Sequence, residues 1–63
     1  MPWNELHYPV AMKHLDQVSR MKAIEIANVL LSEGMDEGKS IRIAIAKSKK
    51  WVIHHNEQVR SYE

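Results

Sequence analysis

Two blocks of helical periodicity, separated by one glycine-bracketed turn, constrain this chain more than any other feature. Between Gln17 and Glu33 the apolar residues Ala23, Ile24, Ile26, Ala27, Leu30 and Leu31 share an arc of roughly 160° on a helix of about 3.6 residues per turn. Lys22, Glu25, Asn28, Ser32 and Glu33 take the other side. A second block, from Ser40 to about Asn56, gathers Ile41, Ala44, Ile45, Ser48, Trp51 and Val52 on one face. No alternating run of β-branched residues is long enough for a strand. The only two glycines and two prolines all lie between periodic segments.

The ends of these blocks carry their own signals. Asp16 is placed to cap the central helix, its carboxylate accepting from free N–H groups of the first turn. Gly34 follows the last periodic residue, where a helix commonly ends in a left-handed conformation. Met35 to Lys39 reads as a turn. Either Asp36 or Ser40 then caps the last helix, with Ser40 the favoured start of its regular part and a short helical turn from Asp36 the alternative. Upstream, Pro9 suits the first turn of a short helix running to about Leu15, with Val10, Met12 and Leu15 as its apolar positions. Met1 to Tyr8 reads as an ordered arm anchored by Trp3 and Tyr8, whose large aromatic surfaces favour burial. The expectation is an all-α, compact three-helix domain over residues 1–56, with a short first helix, a long central helix and a long basic third one. Residues 57–63 are expected to fray.

A chain of 63 residues makes one domain of modest stability. Its lack of cysteine excludes disulfides and thiolate metal sites and suits a reducing cytoplasm. Met1 to Leu15 has no leader-like pattern. The aliphatic run Val29-Leu30-Leu31 is far short of the roughly 20 residues that span a bilayer.

The charge is unevenly distributed. Met1 to Glu37 carries six acids against three cations, whereas Gly38 to Asn56 carries five cations, two histidines and no acid. Lys39, Arg42, Lys47, Lys49, Lys50 and His54 fall within an arc of roughly 160°, opposite the apolar face. Ile43 and Ile53 interrupt them, as in a mixed contact surface. Such a face suits an acidic protein partner, nucleic-acid phosphates or an anionic membrane surface; the plainer alternative is a solvated helix face. An unknown protein partner is the leading expectation and nucleic acid the second, the chain being a monomer or weak homodimer. A helix-turn-helix is the specific form of the second. Against it, the Gly34–Lys39 connection is long, and Arg42 is the sole side chain of the type that reads base edges.

Catalysis, cofactors and metal are not expected. The adjacent His54 and His55 point about 100° apart on a helix. His7 and His14 have no carboxylate three or four residues away, and no metal-binding His pattern occurs. The serines lack a nucleophile-elbow context, and the two glycines form no phosphate loop. Trp3, Tyr8, Trp51 and Tyr62 are spread over three segments and are read as packing residues rather than stacking platforms. Met12, Met21 and Met35 are read as gap-fillers.

Several motifs match a known pattern: Met1-Pro2-Trp3, Tyr8-Pro9, Lys22-Ala23-Ile24-Glu25-Ile26-Ala27-Asn28, Glu33 to Lys39, Ile41 to Lys47, and Lys50-Trp51. Together they resemble a small family of uncharacterised bacterial proteins, specifically the N-terminal domain of YdaT-like proteins, over Met1 to Trp51. The resemblance implies a stand-alone helical domain or the first half of a longer protein. It brings no catalytic or ligand residues with it. Family members usually have proline where this chain has Arg42, which implies a third helix starting near Ser40. A fainter similarity is to the ChaB-like domain, named as a putative cation-transport regulator.

Overall fold

The computed structural model describes residues 2–60, with side chains described as far as His54. It is all-helical and contains two α-helices, α1 (Gln17–Ser32) and α2 (Glu37–Arg60), preceded by an arm and a single 3-10 turn (Val10–Met12). The expected three-helix arrangement is therefore corrected to a helical hairpin with an arm. The segment expected as the first helix is too short to wind further. Met12 and Lys13 donate to the carbonyls of Pro9 and Val10, each at 2.9 Å, and Leu15 donates to Met12 at 3.2 Å. Side chains three apart eclipse in this tighter winding, which turns both Met12 and Leu15 inward. Val10 is left 84% exposed.

The turn between the helices is short because both of its ends are closed by hydrogen bonds. Gly34 has φ +91°. Its N–H reaches Leu31 O at 3.0 Å and the Met35 N–H reaches Leu30 O at 3.1 Å, the paired bonds of a Schellman ending. Asp36 then caps α2, its Oδ2 accepting from Lys39 N–H at 3.1 Å. The favoured start at Ser40 is thus corrected to Glu37. Ser40 lies inside the helix, its N–H and Oγ both donating to Asp36 O at 2.8 Å. At its other end α2 continues past the expected stop near Asn56 to Arg60. Residues 61–63 of the expected tail lie outside the described residues.

Small side chains form the seam of the hairpin. Ser40, Ala44 and Ser48 recur every four residues on α2 and are fully buried. Ala44 shares one core cluster with Ala23, Ile24 and Ala27 of α1 and with Met12 and Leu15. The buried hydroxyls are satisfied within their own helix, Ser48 Oγ donating to Ile45 O at 2.8 Å and Ser40 Oγ as above, so burial leaves no orphan donor. Trp3, Tyr8, Ile26, Ile41 and Ile45 pack around this cluster, partly buried.

Two expectations about individual residues are overturned. Asn28, assigned to the polar face, is buried. Its Oδ1 accepts from Trp3 N–H at 3.2 Å and its Nδ2 donates to Trp3 O at 3.0 Å. The buried residues of α1, Ser19, Ala23, Ile24, Ala27 and Asn28, define an arc turned by about 30° from the one drawn by hydrophobicity alone. The arm packs on that side and brings Asn28 in with it. Trp51, assigned to the core, is 38% exposed. It lies at the rim, with Lys22 Nζ 4.9 Å from its ring centroid.

Asp16 occupies the N-cap of α1 with extended backbone. Its carboxylate makes no cap hydrogen bond of ordinary geometry. Even so, the Ser19 hydroxyl, with backbone N–H groups of the first turn behind it, holds its pKa below 3.8.

These contacts set the expected stability of four variants. Gly38→Ala should raise Tm by the equivalent of about 0.5–1 kcal/mol, since a Cβ there meets only ordinary contacts, the nearest at 3.4 Å. Gly34→Ala should lower it by about 1–2 kcal/mol through backbone strain alone, because nothing stands within 4 Å of the added atom. Thermal unfolding of the two variants should therefore shift in opposite directions. Asn28→Ala should cost about 1–3 kcal/mol by stranding both polar groups of Trp3, read in the same way. Asp16→Ala should lower Tm at neutral pH. A carboxyl whose pKa is lowered by folding contributes stability above its unfolded pKa and loses it as pH falls, so the deficit should shrink as pH drops through 3.8 and below.

Candidate functional site

The buried stripe at Ser40, Ala44 and Ser48 fixes which side of α2 meets water. Lys39, Arg42, Lys47, Lys49, Lys50 and His54, the six residues expected to meet an anionic partner, are all exposed. They lie on the side away from the seam, over about 22 Å of helix at 1.5 Å per residue. Among the described residues the one ion pair is Lys22–Glu25 at 3.1 Å, on α1. Among the described side chains no carboxylate pairs with the α2 cations.

The face is electrostatically unfavourable for the helix that carries it. Lys39 sits in the first turn, where the helix dipole opposes a cation. Lys39 and Arg42, and likewise Lys47 and Lys50, are like charges three residues apart, a spacing that costs about 0.2–0.5 kcal/mol per pair. Asp36 and Glu37, at the start of α2, offset part of this.

Sequence reasoning missed one member of the surface. Because Trp51 lies at the rim, it joins Lys47, Lys50 and His54 in lining a shallow surface hollow. The clue was its position on the helical wheel, at the boundary between the apolar and basic arcs; its size alone argued for the core. Arg20, by contrast, serves the fold. It donates to Leu15 O at 2.7 Å and lies 5.1 Å from the Tyr8 ring centroid. Among the described residues no three His, Asp or Glu side chains converge on a metal-sized site, and no helix is long and apolar enough to cross a membrane.

The two helices run antiparallel and stay together. Lys22 and Trp51 meet although they lie 11 and 15 residues from the turn, at Glu33 and Asp36. In a helix-turn-helix the two arms cross at a steep angle. At 1.5 Å per residue, near-perpendicular arms of these lengths would separate the two residues by about 25–30 Å.

This geometry defines a small all-α hairpin domain with an ordered arm and one cationic helix face. Over 51 residues, 81% of its length, the chain is 47% identical to the Uncharacterized protein YdaT of Bacillus subtilis (strain 168). In that region it is a YdaT-like protein, as the sequence motifs implied. The chain spans about a third, 34%, of that relative's length. No family model and no solved structure matches it, and nothing in the comparisons supports the fainter ChaB-like similarity.

Proposed function

We propose that this chain is a non-enzymatic contact module whose α2 face holds an acidic protein surface. The observation that supports this reading is the set of exposed cations at Lys39, Arg42, Lys47, Lys49, Lys50 and His54, which no described carboxylate pairs with. Lys39 opposes the helix dipole, and Lys39/Arg42 and Lys47/Lys50 set like charges side by side; a partner bearing carboxylates relieves that cost. Local rules broken without an internal reward tend to mark functional surfaces. Trp51 and Ile53, both exposed beside the cations, add apolar contact area of a kind that protein interfaces use at their anchors.

Phosphate contacts along a nucleic acid are the second reading, favoured by the length and uniform sign of the face. The hairpin geometry argues against its helix-turn-helix form, because α2 lies alongside α1 instead of standing out as a recognition helix.

NMR titration separates the readings. Polyglutamate should shift the signals of Lys47, Lys50, Trp51 and His54, and Lys47→Glu/Lys50→Glu should abolish the shifts while leaving the circular dichroism spectrum unchanged. Tighter binding to a short mixed-sequence DNA duplex, falling steeply with salt, would replace the protein reading with the nucleic-acid one. Unchanged spectra with both polyanions at low salt would leave the face merely solvated and remove both.

A further inference from the structure

The outer face of α1 is self-complementary. Val18, Lys22, Glu25 and Val29 share an arc of about 60°, centred roughly opposite the buried arc of the helix. Val18 and Val29 are 53% and 46% exposed, and the Lys22 and Glu25 side chains 26% and 66%. Val18 and Val29 lie at equal distances on either side of the Ala23–Ile24 peptide bond, and so do Lys22 and Glu25. The stripe thus reads apolar, basic, acidic, apolar in one direction. Turned end over end, it sets apolar against apolar and basic against acidic.

We infer that this face is the contact between two copies of the chain, with their α1 helices antiparallel about a two-fold axis that runs between them at the level of the Ala23–Ile24 bond. An isologous contact requires a patch that complements itself under such a rotation, and this stripe meets that condition at all four positions. Val18 of one copy meets Val29 of the other at both ends. Between them, each Lys22 faces the other copy's Glu25, extending the 3.1 Å pair already present within each protomer into a ring of four charges.

The surface has matching relief. Val18, Met21, Lys22, Glu25 and Trp51 line a shallow, mainly apolar hollow, which the second copy's Val29 enters. At the other end Val29 stands at the margin of a second hollow, lined also by Pro2, Asn28, Leu31 and Ser32, which opens toward the arm. The charges set the register more than the affinity: a parallel arrangement sets Lys22 against Lys22 and Glu25 against Glu25, and like-charge juxtaposition penalises that alternative. The contact is smaller than a standard interface, so the dimer is weak, with a Kd on the order of micromolar or above.

This inference is independent of the reading of the α2 face, and analytical ultracentrifugation over a wide concentration range tests it. The wild-type chain should show reversible monomer–dimer association. Glu25→Lys and Lys22→Glu should each remain monomeric, since each variant presents one sign of charge to itself. An equimolar mixture of the two should associate, because every facing pair is then opposite in sign. The Glu25 side chain is exposed and that of Lys22 about a quarter exposed, and circular dichroism checks that each variant is folded. Lys47→Glu/Lys50→Glu should leave the association unchanged. A wild-type chain that stays monomeric at the highest concentration would overturn the proposal. So would single variants that associate as the wild type does, or a mixture that fails to associate.

Discussion

Close approach of two helices through small side chains is the constraint on which the rest of this structure depends. Ser40, Ala44 and Ser48 present almost no side-chain bulk to α1, and interaxial distance is set by the side chains at the contact. A seam this thin buries little apolar area. It therefore needs cover from outside, and the arm and the 3-10 turn supply it through Met12, Leu15, Trp3 and Tyr8. Met12 is the largest side chain fully withdrawn from solvent among the described residues. The fold is a pair of closely apposed helices closed by the arm and the 3-10 turn, which is how so short a chain forms a core without cysteine.

Much of this was legible in the sequence because helix signals are local. The bounds of α1 to within one residue, the N-cap position of Asp16, the left-handed Gly34 and the burial of Ala23, Ile24, Ala27 and Ala44 all follow from periodicity and end chemistry. What was not legible depended on tertiary partners. Hydrophobicity ranks asparagine as a surface residue, and only the backbone of a segment 25 residues away gives Asn28 a reason to be inside. The start of α2 was misplaced because Asp36 and Ser40 are both good caps. The side chain that engages the free N–H groups wins, and the loser is buried, its hydroxyl turned back onto its own helix.

The candidate site was more legible than its surroundings. The six basic residues could be placed on one face from the wheel alone, since the small-residue stripe leaves α2 little choice of orientation. Trp51 was misassigned because a helical wheel locates direction but not depth. By Trp51 the apolar arc of α2 has reached the edge of what α1 can cover, so an indole there lies half in contact and half in water. The cation above its ring is the ordinary accompaniment of such a position.

The two-point bond between Asn28 and Trp3 bears on the order in which the molecule assembles. The hairpin is joined by a four-residue turn, and contacts between chain neighbours form early because little loop entropy opposes them. The arm can bind only after α1 exists to offer its amide. It acts as a latch closed last and released first, and the Trp3 amide proton reports its opening to exchange with solvent. Because Trp3 and Tyr8 pack against the cluster that holds the buried Met12, the arm's docking also decides how far that thioether is shielded from oxidants.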